Sequence, residues 1–112
     1  MAKYKGKYVV AGSGVQGWNP TETSYAVADS PMGPYTLMGT MSEQRTWKGQ
    51  ISNFLYVAES DILIAMCDQW FRGPEGERVS IEESLQLWLP VQFDPQTGEA
   101  RMKKSEQWFP FP

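Results

Sequence analysis

Histidine is absent from the 112-residue sequence. That removes the commonest general base near neutral pH and the commonest metal ligand together. Cysteine occurs once, at Cys67, so no intrachain disulfide can form and no thiolate cluster can hold a metal. With no imidazole to activate it, Cys67 reads as a small buried apolar side chain rather than a nucleophile. Neither a metal nor a cofactor is expected. No apolar run approaches the ~20 residues that carry a helix across a bilayer, so no membrane partner is expected either. Positive charge is also in short supply: Lys and Arg number 10 against 13 Asp and Glu, for a net charge of -3. No basic stripe follows a groove, which argues against a nucleic-acid partner. Only Arg101, Lys103 and Lys104 lie close together, and they read as a solvated strand face. Met1 to Tyr8 is polar and runs directly into a strand, so no signal peptide is expected in this chain.

What the sequence does contain is short β-prone segments separated by turn clusters. Lys7 to Ala11, Ser24 to Ala28 and Tyr35 to Met38 read as strands, with Gly12-Ser13-Gly14 closing the first and Asp29 to Pro34 forming a Pro/Gly turn. Ile51 to Ala58 and Asp61 to Cys67 are apolar strands around a turn at Glu59-Ser60. Ser84 to Phe93 is a strong strand, Asp94 to Gly98 a hairpin turn, and Ala100 to Trp108 the returning strand. Gly39 to Gln50 shows no clear period, and Val79 to Glu83 is too short for a stable helix. The pattern predicts one all-β domain over 1–112, with about seven strands in antiparallel meanders, as in a sandwich, a barrel or about two propeller blades.

Several phrases carry a family resemblance. Lys3-Tyr4-Lys5-Gly6-Lys7-Tyr8-Val9-Val10 resembles the opening strand of a blade in glycoside hydrolase family 43. Ser13 to Pro20 resembles the Ser-Gly-x-x-Gly-Trp-x-Pro loop that follows there, and Tyr25 to Tyr35 a phrase ending in Gly-Pro-aromatic. Gly49-Gln50-Ile51-Ser52-Asn53 is similar to a loop, and Met66-Cys67-Asp68-Gln69-Trp70 to a strand end, of the galactan β-1,3-galactosidase branch, and Leu87 to Phe93 continues the series. Gln16, Gly49 and Gln69 stand where that branch commonly has Thr, Ser and Arg. The resemblance implies the C-terminal part of a five-bladed propeller, a galactose-containing glycan as partner, and a parent family usually secreted or periplasmic.

By that resemblance Gln50 stands near the place of the base in an inverting mechanism. A neutral amide is a poor base, but it can hold a water and accept its hydrogen bond. Asp68 ends an apolar strand; it is either a partly desolvated carboxylate or the cap of a loop. Gly17, Trp18, Asn19 and Trp70 are the candidate substrate-binding residues, since an aromatic face stacks on a sugar while an amide beside it bonds hydroxyls. Trp47 and Trp88 read as packing residues. The family's acid is expected upstream of Lys3, outside this chain, so no turnover by the chain alone is expected. Two other readings stay open: a non-catalytic sugar-binding module, and a structural β domain. Tyr4 and Tyr8 at one end and Trp108, Phe109 and Phe111 at the other are expected to draw in a second copy or partner blades.

Overall fold

The computed structural model of the chain describes residues 1–14, 21–71, 73 and 77–104. Among the described residues eight strands are present: β1 (Ala2–Tyr4), β2 (Lys7–Ser13), β3 (Thr23–Ala28), β4 (Thr36–Thr40), β5 (Gln50–Val57), β6 (Ile62–Gln69), β7 (Leu85–Phe93) and β8 (Ala100–Met102). They form two four-stranded sheets, β1-β2-β3-β4 and β5-β6-β7-β8, each with its strands in chain order. Every pairing is antiparallel. Two such meanders are two blade-like units, as the strand pattern predicts.

The core lies between the two sheets. Tyr4, Val9 and Tyr25 from the first sheet meet Leu63, Ala65, Cys67, Leu89, Val91, Phe93, Ala100 and Met102 from the second. Strand β6 shows why the sequence folds this way. Leu63, Ala65 and Cys67 alternate onto the core face, while Ile62, Ile64 and Met66 fall on the other. A central strand apolar on both faces is built to be covered twice. Ile64 is as deeply buried as the core-side residues.

Two sheets joined by packing alone could slide, and hydrogen bonds prevent it. The Tyr4 hydroxyl donates to the Asp61 carbonyl at 2.7 Å. The Ala100 N–H donates to the Tyr25 hydroxyl at 2.8 Å. The Met102 N–H donates to the Met41 carbonyl at 2.7 Å. The turn after β7 needs a glycine: Gly98 has φ +81°, and a Cβ there would sit 3.0 Å from the Val27 side chain.

Four features differ from the sequence reading. Tyr4 is not an exposed end: it belongs to an additional strand, β1, and packs in the core against Tyr56 and Phe93, with ring centroids 5.7 and 6.0 Å away. Among the described residues the returning strand runs from Ala100 to Met102, and the Lys103 N–H still meets the Pro90 carbonyl at 3.0 Å, in register with the same ladder; positions 105–112, with Trp108, Phe109 and Phe111, lie outside the described residues. Trp88 is 43% exposed. Its neighbours Leu87 and Leu89 are apolar, but in a strand adjacent residues take opposite faces, so buried neighbours place Trp88 away from the core. The Gly39–Gln50 stretch without period holds a single helical turn, Gln44–Lys48, wound left-handed: Arg45, Thr46, Trp47 and Lys48 all have φ between 49° and 67°.

Candidate functional site

Strand ends assemble the site. β2 finishes at Ser13, β5 begins at Gln50, and β6 finishes at Gln69 just before Trp70. Because β5 and β6 run antiparallel, the start of one and the end of the other fall at the same edge, and Gln50 and Asp68 are direct cross-strand partners. Asp68 in turn faces Gln86 on β7. A row Gln50, Asp68, Gln86 therefore crosses three strands, and side chains of directly opposed residues share a face.

The Gln50 amide is clamped. The Trp70 indole N–H donates to its Oε1 at 2.8 Å, and its Nε2 donates to Ser13 Oγ at 2.8 Å. An indole nitrogen can only donate, so the amide's orientation is determined by its partner. One lone pair on Oε1 and one hydrogen on Nε2 remain for a further group. The clamp also joins the first sheet to the second, since Ser13 belongs to β2 and Gln50 to β5.

Behind the clamp, the left-handed turn is held by buried hydroxyls. Thr46 Oγ1 donates to the Thr21 carbonyl at 2.6 Å. Its single hydrogen is then used, so Thr23 Oγ1 and Ser42 Oγ, each 2.9 Å away, donate to it. Ser42 Oγ accepts the Thr23 N–H at 2.8 Å. Thr21, Thr23, Ser42 and Thr46 are all buried. Left-handed backbone costs a non-glycine residue about 1–2 kcal/mol, and a satisfied buried network is the kind of support that keeps such a run in place. The Gln69 amide adds a bond to the Trp47 carbonyl at 3.0 Å. Gly49 then leads into β5 through a gap that admits little more: a Cβ would lie 3.0 Å from the Thr46 carbonyl oxygen and 3.1 Å from Cys67 Cβ.

Cys67 lies next to Asp68 and is 1% exposed. Burial, and then the Asp68 charge, push its thiol up to about 12. It is an inert core group, as its lack of an imidazole partner suggests.

The structure thus brings together Gln50, Asp68 and Trp70 among the candidates read from sequence. Gly17, Trp18 and Asn19 lie outside the described residues. The flanks of their segment are tied together by the Gly14 N–H donating to Thr21 Oγ1 at 2.6 Å, one residue from the Ser13 that holds Gln50. Ser13 and the Thr23–Ser42–Thr46 hydroxyls were not singled out from sequence. Ser and Thr are common in turns and strands, and only the fold shows that these converge.

No protein-family model matches the chain, and no curated protein sequence matches it. Solved structures do. A family 43 β-1,3-galactosidase, solved with galactodeoxynojirimycin, superposes with a TM-score of 0.80 at 30% identity, over 96% of this chain and 30% of its own. This chain is similar to part of a family 43 β-1,3-galactosidase. An exo-β-1,3-galactanase from Phanerochaete chrysosporium, solved with β-1,3-galactotriose, matches with a TM-score of 0.70 at 25% identity, over 91% of this chain and 22% of its own. The fold is shared by an exo-β-1,3-galactanase from Clostridium thermocellum, with a TM-score of 0.70 at 23% identity over 90% of this chain and 22% of that one. The family 43-like chain therefore spans less than a third of the length of each of these proteins, and the resemblance first read from its phrases is to the same group.

Proposed function

We propose that this chain is a glycosidase-derived propeller segment that forms one wall of a binding site for a galactose-containing glycan, and that it does not cleave a glycosidic bond alone. The observation that carries this is the clamped Gln50 amide, with Trp70 and Ser13 as its partners and Asp68 opposite. An amide and a carboxylate in one row, beside an indole, offer the donors, acceptors and aromatic surface that sugars need. The similarity to structures solved with galactodeoxynojirimycin and β-1,3-galactotriose supports galactose as the sugar. Glycoside hydrolysis uses a pair of groups flanking the bond, and this row carries one carboxylate. Gln50 would place a water rather than take its proton.

The first sheet supports a need for further blades or a second copy. Val10 and Leu37 are 37% and 76% exposed on the face away from the core, where a neighbouring sheet would cover them.

Calorimetric titration with β-1,3-galactobiose tests the wall. Weak saturable binding that disappears in Gln50→Ala is expected; no binding by the chain even when further propeller blades are supplied would overturn it. An aryl β-galactoside should show no turnover. Hydrolysis that vanishes in Asp68→Asn would make Asp68 a catalytic group and end the claim of inactivity.

A further inference from the structure

Where the left-handed turn meets the end of β8, a cleft of about 360 Å³ is lined by Glu43, Trp47, Arg101, Met102, Lys103 and Lys104. Its charge is opposite to that of the molecule. The chain carries a net charge of -3, yet this lining holds three cations and one carboxylate. The carboxylate is engaged: Arg101 Nη1 meets Glu43 Oε1 at 3.1 Å. Among the described residues, Lys103 and Lys104 enter no ion pair. The backbone beneath them is fixed, with the Met102 N–H bonded to Met41 and the Lys103 N–H to Pro90. Trp47 is half-buried and packs on the core, so its ring is a rigid part of the wall.

We propose that this cleft binds the anionic substituent of an acidic saccharide, a uronate carboxylate or a sulfate ester. Three features select that class. The volume lies at the small end of ligand sites, which run from about 300 to 1,000 Å³, and it suits one or two sugar units. A tryptophan beside cations offers stacking for a ring and charge for its substituent. A local positive cleft on an acidic protein attracts a single anionic group, whereas a polyanion such as nucleic acid would meet the repulsion of the rest of the surface. The cleft also lies close to the clamp along the chain. Trp47 precedes Gln50 by three residues, so their Cα atoms are at most about 11 Å apart, and one branched or extended oligosaccharide could touch both. The inference does not depend on Gln50 binding galactose.

The test is a titration followed by the amide resonances of Met102 and Lys103, with a glucuronyl-galactose disaccharide, galactose 6-sulfate, β-1,3-galactobiose and sodium sulfate as separate probes. At least one of the two acidic sugars should bind about tenfold tighter than galactobiose at these resonances, and whichever does names the substituent. Binding should weaken about tenfold in Lys103→Gln/Lys104→Gln and with rising salt, since the cations are exposed. It should tighten a few-fold in Glu43→Gln, which removes the one like charge; the comparison with sodium sulfate then separates a sugar site from a surface that merely attracts anions. β-1,3-Galactobiose binding read by calorimetry should be unaltered in the double lysine variant, which separates failure here from failure at the clamp. The proposal is overturned if neither acidic sugar binds above galactobiose, if the double lysine variant binds as the parent does, or if sodium sulfate binds as tightly as galactose 6-sulfate.

Discussion

Replacing Thr46 by valine changes one hydroxyl for one methyl and leaves the branching at Cβ alone. Any strain of a β-branched residue at φ 55° is therefore common to both proteins and cancels. What remains is the hydroxyl network. Thr23 Oγ1 and Ser42 Oγ lose the atom they donate to, and the Thr21 carbonyl loses its donor. All three groups sit in buried residues, where water does not replace the missing partner. A buried polar group left unsatisfied costs about 1–3 kcal/mol, and three coupled ones amount to about 3–6 kcal/mol once partial re-pairing of the two hydroxyls is allowed for. A domain of this size has about 5–15 kcal/mol in total. With a urea m-value of about 1.5 kcal/mol/M, the unfolding midpoint should fall by about 2–4 M. Thr46→Ser is the control: it keeps the hydroxyl and removes one methyl, for about 1 kcal/mol. Equilibrium urea unfolding followed by tryptophan fluorescence measures all three proteins. If the valine and serine variants unfold at the same urea concentration, the hydroxyl network does not hold the turn and the reasoning fails.

Three further outcomes are expected. Gly49→Ala should destabilise by about 1–3 kcal/mol through overpacking, since its methyl would press on the Thr46 carbonyl and Cys67 Cβ; an unchanged thermal midpoint would show that the entry to β5 gives way freely. Trp70→Phe should keep the fold to within about 1 kcal/mol yet weaken β-1,3-galactobiose binding, because Gln50 Oε1 loses the donor that orients it; undiminished binding would detach Trp70 from the clamp. Cys67, at about 12 against an ordinary 9.0, stays protonated in the folded chain where the unfolded chain has ionised. The unfolded state then binds fewer protons, so stability is full below pH 9 and declines from there towards pH 12; Cys67→Ala should flatten part of that decline in alkaline urea titrations, and an equal slope in both proteins would refute the assignment.

The sheets were legible in the sequence because each depends on local alternation. Leu63, Ala65 and Cys67 alternating with Ile62, Ile64 and Met66 mark a strand covered on both faces, and Asp94 to Gly98 marks the hairpin between β7 and β8 by turn chemistry alone. Two of the site's partners were also legible one by one: Gln50 and Asp68 each stand at the edge of an apolar strand, though their direct opposition comes from the register. Three things were not legible. The β1 strand is only three residues long, with lysine on both sides of Tyr4 and too little length for a period. The left-handed turn at 45–48 uses arginine, threonine, tryptophan and lysine, none of which advertises positive φ, and its support comes from a carbonyl and hydroxyls up to 25 residues away. Trp88 was read through its sequence neighbours, when the pleat sends neighbours to opposite faces.

The bond from the Ala100 N–H to the Tyr25 hydroxyl joins residues 75 positions apart, and that separation has a cost during synthesis. A ribosome adding about 5–20 residues per second needs roughly 4–15 s to travel from Tyr25 to Ala100. Once Thr40 ends β4, and so for most of that interval, the first sheet is complete in sequence, but the face that will carry Tyr25 and Val9 has nothing to rest on. The contacts that cover it are among the most distant in the chain, and distant contacts close slowly. The nascent first sheet is therefore the stage at which this protein is exposed to holding chaperones and to wrong partners, and a variant that delays the closing of β8 should lower soluble yield in cells before it lowers the melting temperature of whatever folds.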